Sequence, residues 1–297
     1  MGSDPCRGGG RVIMKSAVVT GYASLDYPVI LDGQLQGDHT VMIKSRPEDN
    51  FPRPGGSPRY VGRSLAQTGV KTSIVTWIGS DEMGKLFCRS IKGDGIRETG
   101  VAVVKPGSTP ICLMLYQQDG SCGCCFDPGF MGREALTVAQ SELIRKADLL
   151  CITVGPAQIG LRALSLARAE TAIAWVAKND PLSYSEDLRE ALGQRADYIF
   201  CNLHERGWID DAIKSRAKPP PLVIETRGAG DVLVCQGEER HSLNVTHLAV
   251  KDTCGAGDTL AGACLAAIMN GEKSLAAIGR AGIDAVQAML GQRVETD

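Results

Sequence analysis

From residue 137 onward the chain alternates helix-like and strand-like segments with little between them. TVAQSELIRKA reads as a helix leading to the strand DLLCITVG, QIGLRALSLARAE leads to TAIAWVA, and SEDLREALGQ leads to DYIFCN. A helix from Leu203 leads to PLVIET and then to DVLVCQ, and two last helices cover roughly 257–270 and 273–289. Strands joined through helices pair in parallel, because each crossover returns the chain to the same end of the sheet. The helices then cover both faces of that sheet. The expected fold class is therefore α/β, a doubly wound, mainly parallel sheet flanked by helices.

Earlier segments fit the same sheet less regularly. SAVVTGYASLD reads as a strand entering a turn, YVGRSLAQTG as a helix stopped at Gly69, KTSIVTWIG as a strand and DEMGKLFCRSIKGDG as a helix. Two regions break the rhythm, at about 29–44 and 110–126. The first contains HTVMIK; in the second, TPICLMLYQQ and SCGCCF flank Asp119-Gly120, a pair suited to a tight hairpin turn. These strands are expected to form a small β-sheet lid standing off the main sheet. Residues 16–297 are expected to form one domain. Residues 1–15, which lack the apolar core of a signal peptide, are expected to be a disordered leader.

Bulk properties exclude some partners. The net charge is -2, without the basic footprint of a nucleic-acid binder. No run of 18 apolar residues is available to span a membrane. Cysteines number 11, an odd count, and Cys151, Cys201 and Cys264 lie inside apolar runs as small hydrophobes. The expected setting is reducing and cytoplasmic. Cys122, Cys124 and Cys125 offer three thiols with no fourth ligand or paired Cys/His motif, and alternation sets Cys125 on the opposite face from the other two.

Glycine-rich segments point to phosphate chemistry. GSDEMGKL at 79–86 has the spacing of a P-loop, but Leu86 replaces the magnesium-binding Ser/Thr, and Asp81 and Glu82 would repel phosphate within the cradle. GAGDTLAG spaces its glycines wrongly for a dinucleotide fingerprint. DTCGAGDTLAG, from Asp252 to Gly262, is different. Gly255 and Gly257 open a helix whose first N–H groups are unpaired and partly positive, a site for an anion. Asp258 would repel a bound phosphate unless its task were to take a proton. In phosphoryl transfer a carboxylate orients the attacking hydroxyl and accepts its proton, while neighbouring N–H groups stabilise the transferred group. Gly255, Ala256 and Gly257 are the expected anion hole and Asp258 the expected base.

DTCGAGD resembles the D-T-x-G-A-G-D signature of the ribokinase-like (PfkB) family of sugar and nucleoside kinases, matching it at every fixed position. The resemblance covers nearly all of the chain after the leader. It implies a doubly wound sheet with a β lid, ATP as phosphoryl donor, Mg2+, and often a monovalent cation such as K+ beside the signature loop, with Asp252 as its first ligand. GYASLD resembles the family's first strand, which implies that Asp26 binds acceptor hydroxyls. PGGSPRYVGRSLAQTG resembles the Gly-Gly segment under the substrate, which implicates Gly55, Gly56, Arg59 and Tyr60. IGSDEMGKLFCRSIKGDGI resembles the G-x-D-x-x-G-x-x-L segment, not a P-loop. CNLHE resembles N-x-x-E, implying that Asn202 and Glu205 act around magnesium, Glu205 indirectly, and the phosphates. ETRGAG resembles the nucleotide-binding turn, implying ATP contacts from Thr226 and Gly228. Three positions depart from the pattern: Tyr60 stands where the family has an asparagine, Asp231 where it has a glycine, and Lys178-Asn179-Asp180 where many sugar kinases have Asp-Pro-Asn.

The acceptor stays open at this level. A primary hydroxyl of a sugar is the first expectation. Arg59 in the Gly-Gly turn could grip a second anionic group, as on a sugar phosphate or sugar acid. Tyr22, Tyr60, Phe126 and Phe130 could form a slot for a nucleoside base. Tyr60 and the irregular nucleotide turn also leave room for a non-catalytic ligand-binding member of the fold. Lid strands with open edges are expected to be covered in a homodimer.

Overall fold

The computed structural model describes residues 15–48, 51–130, 132–250 and 252–293, so the expected leader lies outside the described residues except for Lys15. Strands β1 (Ser16–Thr20), β2 (Ser24–Leu31), β3 (Ile43–Ser45) and β4 (Arg53–Gly55) precede helix α1 (Ser57–Gln67), strand β5 (Lys71–Ile78) and helix α2 (Glu82–Gly93). After β6 (Val101–Val103) come the hairpin strands β7 (Ile111–Tyr116) and β8 (Cys122–Asp127). The regular half then runs α3 (Val138–Lys146), β9 (Leu149–Ile152), α4 (Ala157–Leu166), β10 (Ala172–Val176), α5 (Glu186–Arg195), β11 (Tyr198–Asn202), α6 (Arg206–Ile213) and β12 (Leu222–Thr226). Strands β13 (Val232–Gln236) and β14 (Glu239–Leu243) and helices α7 (Ala256–Met269) and α8 (Leu275–Gly291) follow.

Among the described residues the main sheet has nine strands in the order β14-β13-β12-β11-β10-β9-β1-β5-β6. Pairing is parallel from β6 to β12, and β13 and β14 add an antiparallel edge. Strand residues alternate between two apolar layers. Val19, Ile74 and Cys151 face one layer, with Leu65, Phe87, Leu260 and Ile278 from α1, α2, α7 and α8. Val18, Val75 and Leu150 face the other, with Ile144, Leu164, Leu188 and Ile209 from α3 to α6. Each fully buried side chain of this kind contributes about 1.5–3 kcal/mol relative to exposure, so both helical layers are held by the sheet they cover.

The second sheet has the order β3-β2-β7-β8, with β4 also paired to β2. It starts earlier than the expected 29–44 segment. The stretch read as one strand entering a turn divides at Gly21–Ala23: β1 stays in the main sheet and β2 leaves it. HTVMIK supplies only the first two residues of the three-residue β3. The Asp119-Gly120 turn joins β7 to β8, with Gly120 at φ 83°. The false P-loop is an ordinary helix entrance. The Asp81 carboxylate accepts the N–H of Gly84 at 2.8 Å and that of Thr109 at 2.8 Å, so it occupies the donors a phosphate would need. The small residues of α7 bring it against α1, where a Cβ at Gly262 would lie 2.6 Å from the Val61 carbonyl.

Candidate active site

The entrance of α7 lies at the carboxyl ends of the central parallel strands, where open α/β sheets bind ligands. Gly255 caps the helix at φ 78°, a left-handed conformation, and a Cβ there would lie 2.8 Å from atoms of the Tyr60 ring. Asp258 sits in the first turn and is 4% exposed, yet its Oδ1 has no hydrogen-bond partner among the described residues. It lines two cavities, one of about 490 Å³ beneath the second sheet and one of about 60 Å³ at the ends of β10, β11 and β12. The expected anion hole needs one correction. The Ala256 N–H donates to the Thr253 carbonyl at 3.1 Å, closing the turn into the helix, so it is not free for a ligand. Among the described residues no backbone acceptor takes the N–H of Gly257 or Asp258, and these are the first-turn donors left open.

On the side of the second sheet, Asp26 lies on β2 rather than at the end of β1. It is 3% exposed and accepts from Ser24 Oγ at 2.7 Å, Tyr60 OH at 3.3 Å and Cys254 Sγ at 3.3 Å. Burial pushes its carboxyl above the usual range, and these donors together with Arg53 offset part of that shift. Gly55 pairs in register with Ser24 on β2, and a Cβ there would lie 2.0 Å from Asp26 Oδ2. Gly56, at φ 87°, starts α1 with no room for a side chain beside the Tyr22 carbonyl. Tyr22 and Phe126 line the same cavity with ring centroids 5.1 Å apart. So do Cys112, Cys122 and Cys124, while Cys125, on the other face of β8, does not.

Arg59 is not part of this cavity. It turns to the far side of α1, pairs with Asp94 at 2.8 Å and donates to the Pro54 carbonyl. The guanidinium that the Gly-Gly turn offered for an anionic acceptor is therefore engaged in holding α1 to the end of α2.

The smaller cavity gathers the N-x-x-E residues and the end of β12. Glu205 is 3% exposed and accepts the N–H of Asn179 at 3.0 Å and of Asn202 at 2.9 Å; Asn202 Oδ1 accepts the Glu205 N–H at 3.0 Å. Burial raises the Glu205 carboxyl, and the Asn202 and Asn179 amides and the Lys178 charge offset it. Each carboxylate oxygen spends one lone pair on the backbone and keeps another. That set fits a magnesium ion held through its waters, the usual manner of magnesium. Thr226 lines the cavity, and Gly228, at φ 64°, lies in the hairpin turn just beyond. Asp231, the departure from the family's turn, accepts from Ser242 on β14 at 2.6 Å.

Lys178 was missed by the sequence reading. Its side chain reaches into the open cleft and lines both cavities. Asp258, then burial acting the other way, then further anionic neighbours including Glu205 set its ammonium pKa, with a net rise. The only sequence signal was negative, a Lys-Asn-Asp run where a different triplet was expected.

Asp252 also departs from expectation. Its carboxylate accepts from Arg53 at 2.7 and 3.3 Å, from Tyr116 OH at 3.0 Å and from the Cys254 N–H at 3.0 Å. Arg293 lies 3.6 Å from the same carboxylate and donates to the carbonyls of Asp252 and Cys254 at 3.2 and 2.8 Å. Burial raises the Asp252 carboxyl, but Arg53 and Arg293 outweigh it and the net shift is downward. The oxygens that a monovalent cation would need are already held by guanidinium groups, so this site does not fit K+.

Known proteins resemble the chain along almost its whole length. The profile of the pfkB family carbohydrate kinases matches residues 14–293. A cytidine kinase of Thermococcus kodakarensis is 26% identical over 273 residues, 87% of this chain and 90% of that protein. Fructokinase-1 of Oryza sativa subsp. japonica is 25% identical over 252 residues, 75% of this chain and 76% of that protein. The structure of Arabidopsis thaliana ribokinase complexed with ribose and ATP superposes with a TM-score of 0.74 at 21% identity, covering 92% of each chain, a likeness of fold. With a buried carboxylate at a helix entrance and a family match that spans both sheets, the chain belongs to the pfkB family of carbohydrate kinases and is a kinase.

Proposed function

We propose that this chain transfers the γ-phosphoryl group of ATP to a primary hydroxyl of a sugar, with Asp258 as general base. The observation that carries this reading is the partnerless buried oxygen of Asp258, on a residue that borders both cavities beside the open N–H groups of Gly257 and Asp258. The acceptor lies in the larger cavity with its hydroxyls on Asp26. Asp258 takes the proton of the attacking hydroxyl as its oxygen bonds to the γ-phosphorus and the bond to the bridging oxygen of ADP breaks. The open first-turn N–H groups and the Lys178 ammonium stabilise the charge on the transferred oxygens. Asn202 and Glu205 would hold the waters of a magnesium ion, which neutralises phosphate charge when bound. Thr226, which lines the smaller cavity, and Gly228, in the turn just beyond it, would meet the nucleotide.

A second acceptor class has its own support. The Tyr22–Phe126 ring pair on the cavity wall suits a flat base, and a cytidine kinase is among the relatives, so a nucleoside is the runner-up. Arg59, engaged with Asp94, offers no grip for an anionic sugar, and that class now rests on the Lys178 ammonium in the larger cavity. We further infer a homodimer through the second sheet. A reducing, cytoplasmic setting accords with ten described cysteines that are all free.

The test is ADP release with Mg-ATP against a panel of sugars and nucleosides, repeated with Asp258→Asn. The substitution keeps the shape and removes the base. Turnover is expected to fall by about 10²–10⁴-fold with little change in the KM for ATP. A variant that turns over like the parent ends the base assignment.

A further inference from the structure

The family resemblance leads one to look for a metal cation at Asp252, and the structure has two guanidinium groups there instead. Four oxygens converge at this point: the two of the Asp252 carboxylate and the carbonyls of Asp252 and Cys254. Arg293, just beyond the end of α8, donates one Nη1 to both carbonyls, at 3.2 and 2.8 Å, and stands 3.6 Å from the carboxylate. Arg53, on β4 of the second sheet, forks onto the two carboxylate oxygens at 2.7 and 3.3 Å. The three side chains are largely buried, with 15–17% of each exposed.

The position matters for the site next door. In a trans peptide the C=O of one residue and the N–H of the next point in opposite directions. Drawing the Cys254 carbonyl onto Arg293 therefore turns the Gly255 N–H away from Arg293. The same contact leaves a fixed positive charge behind the entrance of α7, where it adds to the helix dipole. These are the two services a bound metal cation would give this loop: it would gather the carbonyls and supply charge. A guanidinium supplies both without dissociating, because it is covalently attached and stays protonated at all working pH values.

We propose that Arg293, supported by Arg53, replaces the monovalent cation at the signature loop, so that this kinase works without K+. Arg293 is a positioning residue. It touches no reactant and acts through the carbonyls of Asp252 and Cys254. The proposal rests on the kinase reading for its catalytic consequence but not for the binding claim, and the two are separable by experiment.

The binding claim is tested first, without substrate. Melting temperatures of the parent and of Arg293→Ala are compared in potassium, sodium and tetramethylammonium chloride at one ionic strength. K+ is expected to leave the parent unchanged and to stabilise the variant, in which the carbonyls of Asp252 and Cys254 are free of Arg293. Turnover is measured in the same salts. The parent is expected to respond to K+ by less than the roughly fivefold of a coupled effector. Arg293→Ala is expected to lose about 10²-fold in kcat through a displaced loop, with a smaller change in the KM for ATP. Millimolar guanidinium or K+ is expected to restore part of the loss, which a mere packing defect would not allow. Arg293→Gln, which keeps a neutral donor to the carbonyls, serves if the alanine variant does not fold. K+ stabilising the parent, or activating it by about fivefold or more, overturns the proposal. So does a variant that gains nothing from K+ in melting temperature and nothing from guanidinium in turnover. Failure to find any acceptor would sink the kinase reading while the melting comparison still decides what holds the loop.

Discussion

Tyr60 joins the two halves of the site. Its ring supports Gly255 at the entrance of α7, and its hydroxyl reaches Asp26 at 3.3 Å. Burial raises the Asp26 carboxyl, and each donor to the ionised form brings it part of the way down. An acceptor held by ionised Asp26 should therefore bind less well as pH falls through that raised value, above the ordinary aspartate pKa of about 3.9. Tyr60→Phe removes one donor to the ionised form and keeps the ring. The acid limb of acceptor KM against pH is expected to move to higher pH, while kcat on the alkaline side stays close to the parent's. Coincident limbs in the two proteins would remove Tyr60 from the tuning of Asp26. The contrast between Tyr60 and Asp258 also explains what could be read in advance. The helix entrance in DTCGAGD was legible because the proposed base, the turn glycines and the first helical residues are contiguous. Tyr60, Lys178 and Arg293 act on that loop from far along the chain, and nothing local in their segments says which carbonyl, ring face or carboxylate they will meet. Arg59 misled for the same reason: its neighbours Gly56 and Tyr60 line the larger cavity, but its side chain leaves on the other face of α1.

At the scale of elements, the entrance of α2 ties the main sheet to the loop before β7. The Asp81 carboxylate bonds the N–H of Gly84 within its own helix and both the N–H and hydroxyl of Thr109. Burial would raise this carboxyl, but those bonds, led by the Thr109 hydroxyl, win and lower it. A carboxylate with a depressed folded pKa contributes stability above its unfolded pKa, and that contribution is lost as pH falls through the folded value. Asp81→Ala is expected to cost about 1–2 kcal/mol at neutral pH, the range for a lost helix cap. The gap from the parent should narrow as the solution is acidified below the aspartate range. Urea unfolding of both proteins across that range measures it, and a gap that stays constant into acid would count against the capping account. Elements with such end signals were readable: α1, α2, α3 and the regular half carry caps, glycine stops or steady periodicity. The three-residue strands β4 and β6 and the polar β14 were not, because so few residues establish no period and ERHSL offers no apolar face. The passage from β1 to β2 was hidden differently. Both are apolar strands in sequence, and only the packing of Gly21–Ala23 assigns them to different sheets.

At the scale of the whole molecule, no described strand pairs with the outer edge of β8 in the second sheet. β8 ends the order β3-β2-β7-β8, every one of its residues is exposed, and CGCCFD has no proline and only a terminal charge. Natural edge strands are usually blunted by lysine, proline or a bulge, because a bare edge invites a second strand. Leu113 and Phe126, on opposite faces of this hairpin, are 40% and 41% exposed. A two-fold partner adding its own β8 would satisfy the free backbone groups of both edges at once, since antiparallel pairing of identical strands is self-complementary. The inferred homodimer therefore has a specific seam, and Cys125 tests it, because its side chain lies outside the acceptor cavity. Sedimentation equilibrium of the parent is expected to give a dimer. Cys125→Lys places a charge on the edge and is expected to shift the equilibrium toward monomer, with the acceptor KM of the monomer unchanged if each cavity is complete in one chain. A parent that sediments as a monomer, or a lysine variant that dimerises as tightly as the parent, would take β8 out of the assembly.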